Sequence, residues 1–350
     1  MASRAKRILA AMNDPGGTQA LVPVLEALAA SSSHKLEILA APLAEPLLAS
    51  RGFSWQRESV ALGRERAAEL FGQYRPTLLL TGTSWRSNLE QGLRNQAMGA
   101  GVSSVVVLDF WSNYALRWHG SAYAVKSLVD TVCVPDEWAI REMVAAGFPE
   151  NRLVVTGQPF IEEMFRQGVD NGMKGQAGRY LFLSQPSVVD GETLFQAQHI
   201  EVVVKALKSI AKARRIPVTL KIKLHPKEKE SSLMQRIVSQ LTDQDCTVGI
   251  AGSHQSVDSY IEEAECVIGY HTMALFQARA LGKRVVSLTV YERGEGLRQA
   301  MRTAGIVDAP VDMNGLRSLF AGDAGLDFCK DFHHGATQNV LDVINGHRHG

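Results

Sequence analysis

Pro217-Val-Thr-Leu-Lys-Ile-Lys-Leu-His-Pro-Lys-Glu228 decides how this chain is read. Up to Leu224 apolar and polar side chains alternate, which is the period of a strand. The run stops at His225-Pro226, because proline lacks the amide donor that a central strand must supply. His225 is thereby placed at the strand's carboxyl end, ahead of a polar, helix-prone segment. In open α/β sheets, ligands collect at that edge. With Lys223 and Lys227 close in sequence, the histidine suits a phosphate-bearing substrate; its other reading is a surface histidine at a strand end.

The same alternation extends in both directions. Arg7–Met12, Leu36–Ala40, Thr77–Thr81, Ser103–Leu108, Thr131–Val134 and Leu153–Thr156 read as strands. Between them, Thr18–Ser31, Leu43–Ser50, Glu65–Tyr74, Asn88–Gly99 and Asp136–Ala146 read as helices, the last capped by Asp136. Phe165–Gly178 holds little periodicity and many glycines, so it reads as a linker. A second series follows: strands Tyr180–Leu183, Thr219–Leu224, Thr247–Ile250, Cys266–Gly269 and Arg284–Leu288, with helices Ala197–Ala213, Ser231–Leu241, Val257–Ala264 and Met273–Leu281. Alternation at this spacing predicts an α/β protein of two facing Rossmann-like doubly wound domains with a ligand cleft at their carboxyl edges. The expected boundaries are 1–165, a linker at 166–178, 179–335, and a C-terminal helix and tail at 336–350.

A length of 350 residues suits two domains, and 45% apolar with 21% charged residues is ordinary globular composition. A formal charge of +1 gives no footprint for nucleic acid. Cys133, Cys246, Cys266 and Cys329 are scattered without metal spacing, which points to a reducing compartment. His333, His334, His347 and His349 have no ligand spacing, and no metal or other cofactor is expected. The basic N-terminus runs into an apolar stretch broken at Asn13-Asp14-Pro15, too short for a signal sequence, and no stretch approaches the ~20 apolar residues of a membrane span. The expectation is a cytoplasmic protein, with peripheral membrane contact left open.

Three strand-end loops of the second half carry unusual polar residues: Ser184-Gln185-Pro186 with Asp190-Gly191-Glu192, then His225-Pro226, then Tyr270-His271-Thr272 before Met273. Thr272 can cap the following helix, whose first amides and dipole form an anion site to which His271 could add a hydrogen bond. In the first half, Asp14-Pro15-Gly16-Gly17 allows close approach of a ligand to backbone, while Asp14 either caps the helix or accepts a proton. The loop is not GxGxxG, which argues against a nicotinamide enzyme. Asp109-Phe-Trp111-Ser-Asn113-Tyr114-Ala-Leu-Arg117-Trp118-His119 offers a carboxylate, aromatic faces and a guanidinium that suit sugar or acceptor binding, with core packing the alternative for the tryptophans. Thr81–Arg86 borders the same edge, and Thr156-Gly157-Gln158 is placed toward a nucleotide.

Taken together, these residues resemble the GT-B glycosyltransferases. Ser184–Gly191, His225-Pro226 and His271-Thr272 are similar to the acidic-glycine, HP and Ser-Ser/Thr motifs of bacterial sialyltransferases and capsule-type transferases of CMP-activated sugars. That resemblance implies His225 as general acid or phosphate partner, Asp190 as base, and Thr272 as phosphate ligand. Only one acid stands in the first motif, so Asp14 and Asp109 are alternative bases. Glu265–Leu288 also resembles the nucleotide-binding half of UDP-N-acetylglucosamine 2-epimerases, without their serine-glycine-glycine signature at Gly269–Gln277. The expected activity is metal-independent inverting transfer from a nucleotide sugar to a carbohydrate or glycoconjugate acceptor. Epimerisation or hydrolysis of the nucleotide sugar, or binding without catalysis, are the alternatives.

Overall fold

The computed structural model describes residues 5–84, 88–118, 130–168, 175–185, 192–225, 228, 232–252, 255–290, 294–321 and 331–346. The chain forms two compact units. The first is Met1–Glu163 with Gly294–Leu297 and His333–Gly350, and the second is Met164–Arg293 with Arg298–Phe332.

Unit 1 begins β1 (Lys6–Met12), α1 (Pro15–Ala30), β2 (His34–Ala40), α2 (Glu45–Ser50), β3 (Gln56–Arg57), α3 (Arg64–Tyr74) and β4 (Leu78–Thr81). It continues through α4 (Asn88–Gly99), β5 (Ser103–Val107), β6 (Thr131–Val134), α5 (Glu137–Ala145), β7 (Leu153–Val155) and α6 (Pro159–Gly168), the helix in which the division falls. All seven strands are parallel, in the order β3-β2-β1-β4-β5-β6-β7. Near-continuous apolar runs such as Leu78-Leu-Leu80 and Val105-Val-Val107 are buried, as a sheet covered on both faces requires. Helix α1 starts at Pro15, three residues before the sequence pattern places it. Proline's fixed φ and missing donor fit the first helical turn, and the Asp14 carboxylate accepts the Gly17 amide at 2.9 Å.

Unit 2 holds β8 (Arg179–Leu183), α7 (Glu192–Arg214), β9 (Val218–Lys223), α8 (Ser232–Leu241), β10 (Cys246–Ile250), α9 (Val257–Glu263), β11 (Cys266–Gly269) and α10 (Met273–Ala280). After β12 (Arg284–Leu288) come α11 (Glu295–Thr303), β13 (Val307–Ala309) and α12 (Met313–Ala321). Its six parallel strands run β10-β9-β8-β11-β12-β13. The core joins Phe182, Ile222, Ile268 and Val286 of the sheet to Ile200, Val203 and Leu207 of α7. The last helix, α13 (Ala336–Asn345), packs on α1 and buries Val340 and Ile344 in the core of unit 1.

The stretch read as a linker is partly helix, since α6 runs to Gly168. Its glycines serve proximity: a Cβ on Gly168 or Gly175 would lie 1.9 or 1.8 Å from the carbonyl oxygens of Ala280 and Ala264. Cys133, Cys246 and Cys266 are buried free thiols, and burial pushes each toward the neutral form; Cys329 lies outside the described residues.

Candidate functional site

Both sheets share one logic. Strand order reverses between the first and fourth strand of each unit, between β8 and β11 in unit 2 and between β1 and β4 in unit 1. Two neighbouring strands whose connections leave to opposite sides open a crevice at their carboxyl ends, and ligands of doubly wound folds bind there.

In unit 2 the reversal brings Gln185, after β8, against His271, after β11. The Gln185 side-chain amide lies 3.1 Å from His271 Nε2 and 3.4 Å from its carbonyl, and Gln185 Oε1 accepts the His271 amide at 3.5 Å. With the amide donating, His271 Nε2 is the acceptor and the ring proton sits on Nδ1. The loop is rooted from below by Tyr270, fully buried, edge-on to Phe182 and with its hydroxyl 3.0 Å from His199 Nδ1. The Ser287 hydroxyl donates to the Tyr270 carbonyl. Thr272 caps α10, its Oγ1 accepting the Ala274 amide at 3.4 Å and leaving its own proton to donate. Met273, half-buried, is the first helical residue.

The third loop is tied in through side chains. Glu228 accepts the His225 amide at 2.8 Å while its own amide donates to the His225 carbonyl. The Ser184 hydroxyl lies 2.9 Å from Glu228 Oε1 and 2.8 Å from Gln196 Oε1, and can donate to either. Gln196 in turn donates to the Gln185 carbonyl. The loops after β9, β8 and β11 thus form one network, with Glu228 and Gln196 as members that the sequence reading missed. His225 and Thr272 stand two strands apart, about 10 Å at sheet spacing. Lys223 departs from expectation. Its ammonium donates to the Gly252 and Gln255 carbonyls at 2.8 and 2.9 Å and lies over the Tyr260 ring, so it braces the loop after β10. Asp190, Pro226 and Lys227 lie outside the described residues.

In unit 1 the reversal brings the Asp14–Gly17 turn against Gly82-Thr83. A Cβ on Gly17 would lie 2.6 Å from the Thr83 carbonyl, and one on Gly82 would lie 2.6 Å from the Gly17 carbonyl. A Cβ on Gly16 would sit 2.9 Å from Asp109 Oδ2, so that carboxylate borders the α1 N-terminus. Asp109 is ion-paired with Arg117, accepts the Thr83 hydroxyl, and holds the same hydroxyl through its amide at 3.2 Å. Arg117 is fixed by the Ser112 carbonyl at 3.1 Å. The structure therefore brings together Asp14, Gly16, Gly17, Asp109 and Arg117.

Three other candidates fall elsewhere. Tyr114 is buried and donates to Glu142 at 2.6 Å, which takes the Gly296 amide on its other oxygen, so this tyrosine packs rather than faces a ligand. Gly157 has φ +82°, and a Cβ there would lie 2.7 Å from the Ala336 Cβ, so it is used to seat α13. Asn113 adopts φ +55° on the exposed surface. Trp111 and Trp118 are both buried, and Trp111 donates to Asp136 at 2.6 Å. His119, Trp85 and Arg86 lie outside the described residues. Among the described residues, no group of three or more His, Cys, Asp or Glu side chains is arranged to hold a metal ion, and no helix is long and apolar enough to cross a membrane.

Solved structures share this architecture across nearly the whole chain. UDP-GlcNAc 2-epimerase from Neisseria meningitidis bound to UDP-GlcNAc superposes with a TM-score of 0.69 at 10% identity, covering 96% of this chain and 99% of that one. UDP-GlcNAc 2-epimerase from Methanocaldococcus jannaschii gives 0.69 at 9% identity, covering 96% and 98%. Acinetobacter baumannii MurG gives 0.56 at 12% identity, covering 97% and 99%. No protein-family model and no curated protein matches the sequence. The fold is the two-Rossmann, GT-B-like architecture.

Proposed function

We propose that the protein is an enzyme that processes a nucleotide-activated sugar, with its nucleotide held at the unit-2 switch point. The observation that carries this is the Gln185–His271 pairing beside the α10 N-terminus, where a crevice, a helix dipole and the Thr272 hydroxyl coincide. Because His225 and Thr272 stand two strands apart, they suit separate parts of a diphosphate or sugar phosphate better than one shared oxygen. Negative charge gathers on the nucleotide phosphate as it departs, so donors held in place there stabilise the transition state more than the ground state. His225 is the candidate acid or phosphate partner, and Asp14 and Asp109 stay candidate carboxylates for proton transfer.

Within this class, rearrangement of a UDP-sugar of the 2-epimerase type is the favoured reading, because structural neighbours with the higher TM-scores are UDP-GlcNAc 2-epimerases. Glycosyl transfer is the second reading, favoured by the likeness to MurG, a glycosyltransferase, and by His225-Pro226. The sialyltransferase likeness in the acidic-glycine motif falls on residues outside those described, and none of the structural neighbours named above is a sialyltransferase by name. UDP is therefore expected to bind in preference to CMP.

The test is a thermal-shift series across UDP, CMP, GDP and dTDP, followed by incubation with UDP-GlcNAc in the absence of acceptor. A nucleotide at 100 times its Kd raises stability by about 2.7 kcal/mol. A shift with UDP and conversion without acceptor support the epimerase reading; conversion only with added glycan supports transfer. No shift with any nucleotide would overturn the proposal.

A further inference from the structure

The unit-1 switch point contains a buried acid that the roles above leave unused. Glu90 and Arg94 point inward from one face of α4, with 2% and 4% of their surfaces exposed. Ser84, the residue after Thr83, donates its hydroxyl to Glu90 Oε2. Among the described residues, Glu90 Oε1 is sealed from water and has no hydrogen-bond partner, and the same holds for Nε and Nη1 of Arg94. Arg94 is held through Nη2 by the Gln91 side chain at 2.8 Å and the Arg117 carbonyl at 3.3 Å, with its guanidinium 5.0 Å from the Trp118 ring centre. Asn13 Oδ1 and Thr81 Oγ1, at the ends of β1 and β4, are also buried without partners.

The charges that face Glu90 come from three directions. Arg94 lies on its own helix, Asp14 on the β1–α1 turn, and Asp109, paired with Arg117, after β5. Burial is the largest influence and pushes the Glu90 carboxyl up to about 7; Asp14 and Asp109 push the same way, while Ser84 and Arg94 oppose. Asp109 and Glu90 are held by adjacent residues of one loop, Thr83 and Ser84.

We propose that Glu90 is a positioning residue for the Asp14–Asp109 pair: as a neutral acid it pins Ser84, and with it Thr83 against Asp109, and its ionisation places a third negative charge beside the two carboxylates. The proposal rests on the reading that Asp14 and Asp109 serve the site. The two states of Glu90 differ in the charge they present beside Thr83 and Asp109. Glu90 itself exchanges no proton with substrate.

The experiment is a melting series from pH 4 to 9 on wild type, E90Q, D109N and the double variant. The excess of E90Q melting temperature over wild type is expected to widen from about pH 4.5 to 7 and then hold level. In the D109N background the upper limit of that widening moves down by about half a pH unit, because a neighbouring negative charge is gone. S84A moves it upward. A constant gap across the range, or an upper limit unmoved by D109N, overturns the proposal, since Glu90 would then be uncoupled from Asp109. Should E90Q fail to fold, infrared difference spectra of the protonated carboxyl in wild type and D109N read the same shift. Failure to convert any nucleotide sugar would sink the proposed function while leaving this cycle to be decided on its own.

Discussion

Gln185 and Gly82 show how single residues carry two different burdens at the two switch points. Gln185 joins two loops through three contacts made by one carboxamide. Its replacement by alanine releases His271, and UDP affinity is expected to fall about tenfold, or ~1.4 kcal/mol, by calorimetry with the fold intact. Gly82 carries no chemistry, but a methyl there meets the Gly17 carbonyl at 2.6 Å, and backbone on both sides cannot yield cheaply. Gly82→Ala is expected to lose about 1–3 kcal/mol in urea unfolding. At this scale the sequence was legible where a rule of local geometry applied. Asp14-Pro15-Gly16-Gly17 suggests a helix cap and room for a ligand beside the backbone; the structure caps α1 with Asp14, starts it at Pro15, and fills the space beside Gly17 with the Thr83 backbone. Glu90 was illegible because an acid in a helix reads as solvated face. The inward stripe Leu89, Leu93, Ala97 with Glu90 and Arg94 beside it is the signal that could have exposed it. Tyr114 and Gly157 misled for the opposite reason: a phenol and a glycine near a strand end look like ligand chemistry, and only packing partners show otherwise.

Among elements, the three-residue β7 was readable from its apolar run, while the nine-residue helices α11 and α12 and the strands β3 and β13 were not. Helix Asn88–Gly99 and strands Thr131–Val134 and Cys266–Gly269 carry enough apolar repeats to fix their ends. Strands β3 and β13 have two and three residues, Gln56-Arg57 and Val307-Asp-Ala309, and carry no continuous apolar run like Leu153-Val-Val155. They exist because a neighbouring strand offers free backbone groups, a tertiary cause invisible locally. The strand end at Lys223 illustrates the limit. Local sequence places a cation beside His225, but β10 runs parallel beside β9 and its following loop presents two carbonyls to that ammonium. Lys223→Met is therefore expected to lower stability by about 1 kcal/mol while leaving UDP affinity unchanged, measured by unfolding and calorimetry on one preparation. A tenfold weaker Kd in that variant would return Lys223 to the phosphate site.

For the molecule as a whole, two sheets that share the order 3-2-1-4-5-6, the first extended by a seventh strand, arise from halves that show no repeat in sequence, so topology, not residue identity, sets where both sites lie. The same whole-molecule view governs pH behaviour, because two buried groups of unit 1 titrate with opposite sign. Burial holds the His333 imidazole, beside Trp111 and accepting the Gln158 amide, down to about 3. The unfolded chain takes up that proton below about 6.5 while the folded one refuses it, so stability falls as pH drops from 6.5 toward 3. Glu90 works the other way: the folded state keeps a proton that the unfolded chain gives up, so stability falls as pH rises from 4.5 to about 7. Each slope is about 1.4 kcal/mol per pH unit, and between 4.5 and 6.5 they oppose each other. Wild-type unit 1 is thus expected to show nearly constant urea midpoints over that window. E90Q should expose the histidine slope and weaken toward acid. His333→Asn, which tolerates the φ of +58° at that position, should expose the glutamate slope and weaken toward neutral pH. Identical slopes in both variants would mean that neither proton is withheld by the fold, and the compensation would have to come from other groups.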